Sequence, residues 1–221
     1  MSTGTSRASR RAVVGAIGLS LAITPATMST AHAQLSLHPG LSGMREFTTS
    51  GTWRAPGLLA NDRVTHVLVL LQGAGGGGSG FFGSGAGAGG CVLSTVAVIP
   101  GRTYAIEVGA PGAASNDDTA GMTGGRTAFR LQGGSVLAVA NGGSGGAPRS
   151  QPDEGAAGGS GVAHADGGIV YAGSRGRYER VIIGPVAGRI ADLCALYAPD
   201  NVGNGGAAER SGQPGWALIL W

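Results

Sequence analysis

The sequence contains no lysine, and only 12% of its 221 residues are charged. The absence of lysine excludes a Walker-type phosphate loop, because that loop needs a Lys to reach the phosphates. Three of the 15 arginines lie within the first eleven residues, whereas all 12 acidic residues come later. Beyond that N-terminal stretch arginines and acids are equal in number, so the chain lacks the basic surface with which proteins bind nucleic acid or anionic membranes.

Long hydrophobic runs are also missing. The apolar stretch at residues 12–23 is shorter than the roughly 20 residues that span a bilayer. It follows three arginines and precedes Ala-His-Ala, which is the pattern of a secretory signal peptide. We therefore expect a signal peptide over residues 1–33, cleavage between Ala33 and Gln34, no transmembrane anchor, and a secreted or extracellular chain. Two adjacent arginines near its start leave twin-arginine export open beside the general secretory route.

The chain has only two cysteines, Cys91 and Cys194, which are too few for a four-cysteine zinc site. Because an exported chain with an even number of cysteines can form disulfides, we favour a bond between these two. Two buried thiols acting as small hydrophobic side chains are the alternative. The acidic pairs Asp117-Asp118 and Asp153-Glu154 lack the spacing of a calcium-binding loop, so no metal site is predicted.

Residues arranged for catalysis are equally scarce. His164 and Asp166 lie close together without a Ser or Cys nucleophile motif, and His66 falls inside a predicted strand, where a core histidine is expected. The sequence GAGGGG at residues 73–78 fits the GxGxxG nucleotide-binding pattern, yet no helix signal follows it and the next acid is Glu107. We therefore predict no enzymatic activity and no cofactor.

Glycine, in contrast, is in large excess. It supplies 45 of 221 residues, against a usual share of roughly 7%. The densest block, residues 73–90, contains 11 glycines in 18 positions. No strict triplet repeat runs through the glycine blocks, which excludes collagen. A flexible linker is disfavoured as well, because strand patterns alternate with the glycine blocks.

The segments between the glycine blocks have the patterns of β-strands. Residues 64–72 are apolar on both faces from Val67 onward, which predicts a central strand covered on both sides. Residues 91–99 and 103–108 flank Pro100-Gly101, the pair that favours a type II turn, and predict a hairpin. Further strands are predicted at residues 46–49, 127–131, 136–141, 169–172 and 216–221.

Two periodic patterns indicate which side chains face the core. In the second strand of the predicted hairpin, Tyr104, Ile106 and Val108 alternate with residues expected to face outward. A helical stripe that ends before Pro199 predicts one short helix. The members of this stripe are Ile190, Leu193, Cys194 and Tyr197.

A series of motifs then follows in a fixed order: FTTSGTWRAP at 47–56, VLVLLQGAGGGG at 67–78, PGRTYAIEVG at 100–109, GGRTAF at 124–129 and AVANGGSGG at 138–146. The series resembles the glycine-rich domain of phage tail-fibre adhesins and secreted bacterial proteins and, more distantly, that of anaplastic-lymphoma-kinase-type receptors. The resemblance covers about residues 47–147 and resumes at the closing GWALILW.

This resemblance implies an all-β fold: a jelly-roll-like β-sandwich with an inserted bundle of glycine-rich polyproline-II helices and at most one short helix. The domain organisation is then the signal peptide, an N-terminal linker at 34–45 and a glycine-rich β domain at 46–221. Packed glycine segments would exchange the hydrogen bonds that an isolated polyproline-II helix lacks. The block at 73–90 would double back near Phe81-Phe82, whose rings either plug the bundle, which we favour, or form an exposed anchor.

The resemblance also implies that loops between the polyproline-II helices contact a receptor. The corresponding loops are residues 112–120, 147–154 and 174–180. The candidate binding residues are the aromatic and polar ones of the turn and loops: Phe81, Phe82, Asn116, Asp117, Asp118, Arg149, Arg175, Arg177 and Tyr178. We expect a secreted, adhesin-like binding module that recognises a cell-envelope polymer or surface protein. A passive extracellular structural protein and a phage-type receptor-binding adhesin are the alternatives.

Overall fold

The computed structural model describes residues 41–57, 64–80, 82–116, 119–150, 157, 159, 161–163, 168–179, 184–186 and 192–221. Within these residues the chain forms strands and one short helix, so the predicted all-β fold is confirmed. The strands are β1 (Met44–Phe47), β2 (Gly51–Arg54), β3 (His66–Gln72), β4 (Cys91–Ala97), β5 (Thr103–Glu107), β6 (Thr127–Leu131), β7 (Val136–Ala140), β8 (Gly161–Ala163), β9 (Ile169–Tyr171), β10 (Arg177–Glu179), β11 (Gly184–Val186) and β12 (Trp216–Leu220). The helix is α1 (Asp192–Tyr197). The described part contains no helix with the length and apolar character of a membrane span.

Most of the strands form two antiparallel sheets of five. Sheet A has the order β1-β12-β3-β4-β9, and sheet B has the order β2-β5-β6-β7-β8. Among the described strands, β10 and β11 pair with each other and belong to neither of these sheets. The position of β3 in the middle of sheet A agrees with its long apolar run, because a central strand is covered on both faces.

The main hydrophobic core lies between the two sheets, which makes the domain a β-sandwich. Sheet A contributes Val69 and Leu71 to this core. Sheet B contributes the side chains that the alternation predicts: Tyr104 and Ile106 are 2% and 1% exposed, and Val108 packs at the margin. The inward-facing residues of β5 are therefore confirmed.

A second apolar cluster covers the outer face of sheet A. Leu70 and Leu218 point to this side, and Cys194 and Val202 pack on them. Cys194 lies on α1 and is bonded to Cys91 at the start of β4, with 6.1 Å between the two Cα atoms. Both sulfurs belong to fully buried residues. The predicted disulfide is confirmed, and it fixes α1 against the sheet.

The predicted hairpin of β4 and β5 is wrong, because the two strands belong to different sheets. Pro100-Gly101 does form a tight turn, with φ at 77° for Gly101 and a 3.1 Å hydrogen bond from Arg102 N to Ile99 O. Gly101 N also donates to the carbonyl oxygen of Ala55, just after β2. Both edges of β4 are already paired, with β3 and β9. The strand that follows the turn, β5, therefore pairs with β2 in sheet B.

Four short strands lie outside the predicted set: β2, β8, β10 and β11. Each has three or four residues, which is too few for an alternating pattern to stand out. The interpretation of His66 as a core histidine is wrong. Its ring is exposed, and its Nδ1 lies 3.1 Å from the Oγ1 of Thr65. The strand begins only at His66, so the ring lies at the margin of the sandwich.

Glycine segments leave the ends of the strands and pack side by side. Residues 73–79 follow β3, and residues 84–90 return to β4, so the glycine block doubles back as predicted. Three backbone hydrogen bonds join the two halves: Gly73 N to Gly90 O, Gly76 N to Gly87 O and Ser79 N to Ser84 O. The bonds recur at every third residue, which is the period of a polyproline-II helix. They connect different segments, as expected for a helix that has no internal hydrogen bonds.

Residues 73–79 form the central segment of this bundle, because other segments surround them. Successive N–H groups of the central segment donate to three antiparallel neighbours, one after another: residues 84–90, 121–125 and 210–215. The carbonyl groups accept in rotation from three parallel neighbours, residues 109–115, 141–147 and 203–209. Each neighbour is contacted once in every three-residue turn. The predicted bundle of polyproline-II helices is therefore confirmed.

The spacing of glycine follows the crowding around each segment. Gly109 and Gly112 lie on one peripheral segment, and Gly121 and Gly124 lie on another. A Cβ atom at any of these four positions would collide with the backbone of a neighbouring segment. The central segment is crowded on all sides and contains only Gly, Ala and Ser. Within a single peripheral segment, glycine therefore recurs at every third residue, although no such repeat runs through the whole sequence.

Candidate binding site at the bundle tip

Four turns converge at the end of the bundle that lies away from the strands, and we call this end the tip. The turns contain Gly83, Thr119, Ala147 and Glu209, and each follows a segment that leaves the sandwich. With a rise of roughly 3.1 Å per residue, the central segment of 73–79 places the tip about 22 Å from the end of β3.

Ser79, the last residue of the central segment, fastens two of these turns. It is fully buried, and its Oγ lies 3.1 Å from the carbonyl oxygen of Asn116 and 3.0 Å from that of Thr119. Its single hydroxyl proton donates to either of them. The Ser79 carbonyl oxygen accepts a 2.8 Å hydrogen bond from Glu209 N. Asn116, Thr119 and Glu209 are therefore held around one serine.

Ser84 fastens the turn that contains Ala147. This serine is also fully buried, and its Oγ accepts a 2.7 Å hydrogen bond from Ala147 N. The Ser84 N–H donates to the Ala147 carbonyl oxygen at 3.0 Å, while the Ser84 carbonyl oxygen accepts from Ser79 N. The tip is thus fastened by backbone groups and two small hydroxyls.

Phe82 and Arg149 form an exposed pair on the tip. The guanidinium carbon of Arg149 lies 4.7 Å from the centroid of the Phe82 ring, which is the distance of a cation–π contact. Phe82 is 43% exposed. The ring is therefore exposed, and the interpretation of Phe82 as a plug is wrong. Phe81 lies outside the described residues.

Further polar groups surround this pair. Asn116 is exposed, and its Oδ1 accepts a 3.1 Å hydrogen bond from the Oγ1 of Thr119. Glu209 and Arg210 are also exposed and carry opposite charges. The tip therefore combines an aromatic ring, an amide, two guanidinium groups and a carboxylate within the described residues.

The remaining described site residues belong to a different segment, which is not one of the four turns. Arg175 is exposed on a segment that runs along residues 84–90, where a Cβ atom on Gly176 would collide with the carbonyl group of Gly85. Arg177 and Tyr178 belong to β10, where they pair with residues of β11. The candidates that lie outside the described residues are Asp117, Asp118 and the predicted cleavage site at Ala33 and Gln34.

Sequence reasoning missed three residues that shape the tip: Ser79, Ser84 and Glu209. The two serines carried no signal, because a serine within a glycine block also fits a flexible linker. A signal for Glu209 was available. It is an acidic residue between two glycine segments in a chain with few acids.

The nucleotide-type motif at residues 73–78 has a structural role. Every N–H group from Gly73 to Gly78 donates to a carbonyl group of a neighbouring segment. A phosphate-binding turn needs N–H groups that point at the ligand from a helix N-terminus. The N–H groups of this motif are already engaged, and the motif continues into a second glycine segment.

The described residues contain no group of three His, Cys, Asp or Glu side chains arranged to hold a metal ion. His164 and Asp166 lie outside the described residues. Glu107 on β5 accepts from Arg130 and lies 3.6 Å from a guanidinium nitrogen of Arg126. All three side chains are partly exposed. The contact with Arg130 joins the neighbouring strands β5 and β6, and Arg126 immediately precedes β6.

The sequence profile of a family described as Glycine-rich domain matches residues 48–218. The match begins just after β1 and ends within β12, so it contains all of sheet B, most of sheet A and the glycine segments of the bundle. A comparison with curated proteins gives no match. Because the match covers far more than half of the chain, the chain belongs to the glycine-rich domain family.

Proposed function

We propose that the chain is an exported, non-enzymatic binding module that contacts a cell-envelope polymer or surface protein through the tip of the bundle. The observation that carries this proposal is the exposed pair of Phe82 and Arg149, 4.7 Å apart, among four convergent turns. Aromatic side chains, phenylalanine included, and arginine are enriched at the core of protein interfaces.

The way in which the tip is held supports the proposal. Ser79 and Ser84 tie the turns to the central segment through hydrogen bonds. A surface that is ordered before binding loses less conformational entropy in the complex. The glycine bundle is thus suited to present a few side chains in a fixed arrangement, away from the sandwich.

Export is supported by two features. Residues 1–33 have the pattern of a signal peptide, and Cys91 is bonded to Cys194. Disulfide bonds persist in oxidising compartments outside the cytoplasm. We propose that the processed chain is secreted, by the general secretory or the twin-arginine route.

The motif series supports recognition through loops, since it resembles the glycine-rich domain of phage tail-fibre adhesins and, more distantly, that of anaplastic-lymphoma-kinase-type receptors. We propose that the tip turns of this chain have the corresponding role. The near balance of charge outside the N-terminal stretch favours a partner other than nucleic acid.

Co-sedimentation of residues 34–221 with cell-envelope fractions tests this function. We expect saturable binding that falls about tenfold or more in Phe82→Ala and in Arg149→Ala, as for residues at the centre of a binding site. The sandwich offers matched controls. Arg45 lies 5.0 Å above the Phe47 ring, and Ile99 is 55% exposed at the turn after β4.

Arg45→Ala and Ile99→Ala should leave binding unchanged, because neither residue is on the tip. Absence of saturable binding by the parent chain would favour a passive structural protein. Equal losses in the tip variants and the sandwich variants would show that the tip is not the binding surface.

A further inference from the structure

Glu209 has an unusual backbone conformation at the tip. Its φ is 49°, and among the described residues it is the only non-glycine with a positive φ. The other described positions with positive φ are Gly101, Gly133 and Gly203. Glycine adopts this conformation readily because it lacks a Cβ atom, whereas other residues are strained in it.

The fold gives no reason for a glutamate at this position. The backbone N–H of Glu209 donates to the Ser79 carbonyl oxygen, and a glycine would make the same bond. The Glu209 carboxylate is exposed and makes no ion pair within the residues that the structure describes. In a chain with 45 glycines, glycine would be the unstrained choice. Strained non-glycine residues that persist in this way cluster at functional sites.

We propose that Glu209 is a ligand-contacting residue of the tip and that its carboxylate receives an ammonium group of the cell-envelope partner. This inference rests on the proposed function of the tip. An ionised carboxylate only accepts hydrogen bonds, so the opposing ligand group is a donor. The site is open to water, so a neutral donor only replaces a hydrogen bond to water and gains little binding free energy. A charged donor forms a stronger hydrogen bond with the carboxylate.

The surrounding groups are compatible with this assignment. Glu209 is held with Asn116 and Thr119 around Ser79, so its backbone position is fixed. Arg149 lies over Phe82 and bears only donors. A partner that carries both ammonium and carboxylate or phosphate groups complements these charges. Its ammonium groups would face Glu209, and its anionic groups would face Arg149.

Three variants of residues 34–221 separate the carboxylate from the backbone strain. Glu209→Gly removes both, and we expect a higher midpoint of thermal unfolding together with about tenfold weaker co-sedimentation with the envelope fraction. Glu209→Gln keeps the strain and removes the charge, so the midpoint should stay and binding should fall. Asp200→Asn, at an exposed site outside the tip, is the matched control and should change neither.

The chemistry of the ligand is tested with the same envelope fraction after its free amines have been acetylated. Acetylation should lower binding of the parent chain to the level of Glu209→Gln and should leave the binding of that variant unchanged. If Glu209→Gln loses binding but acetylation of the fraction has no effect on the parent chain, the ammonium assignment is overturned.

The other outcomes overturn the role of Glu209 itself. If both Glu209 variants bind like the parent chain while Phe82→Ala does not, the tip function stands and this inference fails. A lower unfolding midpoint in Glu209→Gly would show that the side chain is structural. If the parent chain binds no envelope fraction, the proposed function and this inference fail together.

Discussion

At the scale of single residues, glycine in the bundle is required by space. The described glycines with positive φ all lie outside residues 73–90, so the backbone of the block does not need glycine for its conformation. A Cβ atom on Gly75 would overlap the carbonyl group of Asn204, and one on Gly76 would overlap that of Ser144. The glycine content indicated close packing, but it could not show which neighbours enforce it, because the neighbours are distant in sequence.

We therefore expect Gly75→Ala to lower the free energy of unfolding by about 1–3 kcal/mol or more, as overpacking does. The opposing atoms belong to backbone that other hydrogen bonds hold in place. Gly57→Ala is the matched control, because a Cβ atom at Gly57 meets nothing within 4 Å, and it should be neutral or stabilising by roughly 0.5 kcal/mol. Urea denaturation measures both. Equal stability of the two variants would contradict the packing.

At the scale of elements, residue patterns predicted where strands occur better than how they pair. The long apolar run of β3 and the alternation of β5 indicated their burial, because burial depends on side chains within one segment. The pairing of β4 with β9 depends on which edges are free in the assembled sheet. A tight turn such as that at Pro100-Gly101 reverses the chain without fixing the partner of either strand.

The helix α1 depends on its disulfide bond. The bond closes a loop with a sequence separation of 103, and Cys194 packs with Leu70 and Leu218 on the outer face of sheet A. We expect the double variant Cys91→Ala, Cys194→Ala to lose about 2–5 kcal/mol of unfolding free energy. It should also bind more of a dye specific for exposed apolar surface, as the outer face opens.

Urea denaturation with and without a thiol reductant provides the control for this prediction. Reductant present during unfolding and refolding should lower the stability of the parent chain to that of the double variant, whose own stability should not respond. A double variant as stable as the oxidised parent chain would show that α1 is held without the bond.

At the scale of the whole molecule, the bundle and the sandwich depend on each other. The central segment follows β3, yet its bonds reach segments that adjoin β4, β5, β6, β7 and β12. Each of those segments is positioned by its strand. Local sequence patterns could not predict this arrangement, because its contacts join segments that are distant in sequence. Only the resemblance of the motif series indicated a bundle. The sequence did provide Phe82, Arg149 and Asn116 as candidates, since they are aromatic or polar residues in the turn and the loops that the resemblance indicates.

We expect the two parts to unfold in one transition. Trp53 and Trp216 are buried in the sandwich layers and report on them by fluorescence. Hydrogen exchange of the amides in residues 73–79 reports on the bundle. Both signals should give the same urea midpoint, because no central amide can open without displacing a segment tied to a strand. Random-coil exchange rates in this segment, alongside native fluorescence, would restore the linker interpretation.

The three-residue turn of the central segment also constrains how the chain can change in length. One inserted residue would rotate everything after it by about 120°, so that each N–H faces the wrong neighbour. Three inserted residues would restore the phase and lengthen a segment by about 9 Å. Since segments that share hydrogen bonds have to grow together, the reach of the tip can increase only in discrete steps. Insertions of nine nucleotides, matched across the paired segments, are the genetic changes that this architecture tolerates.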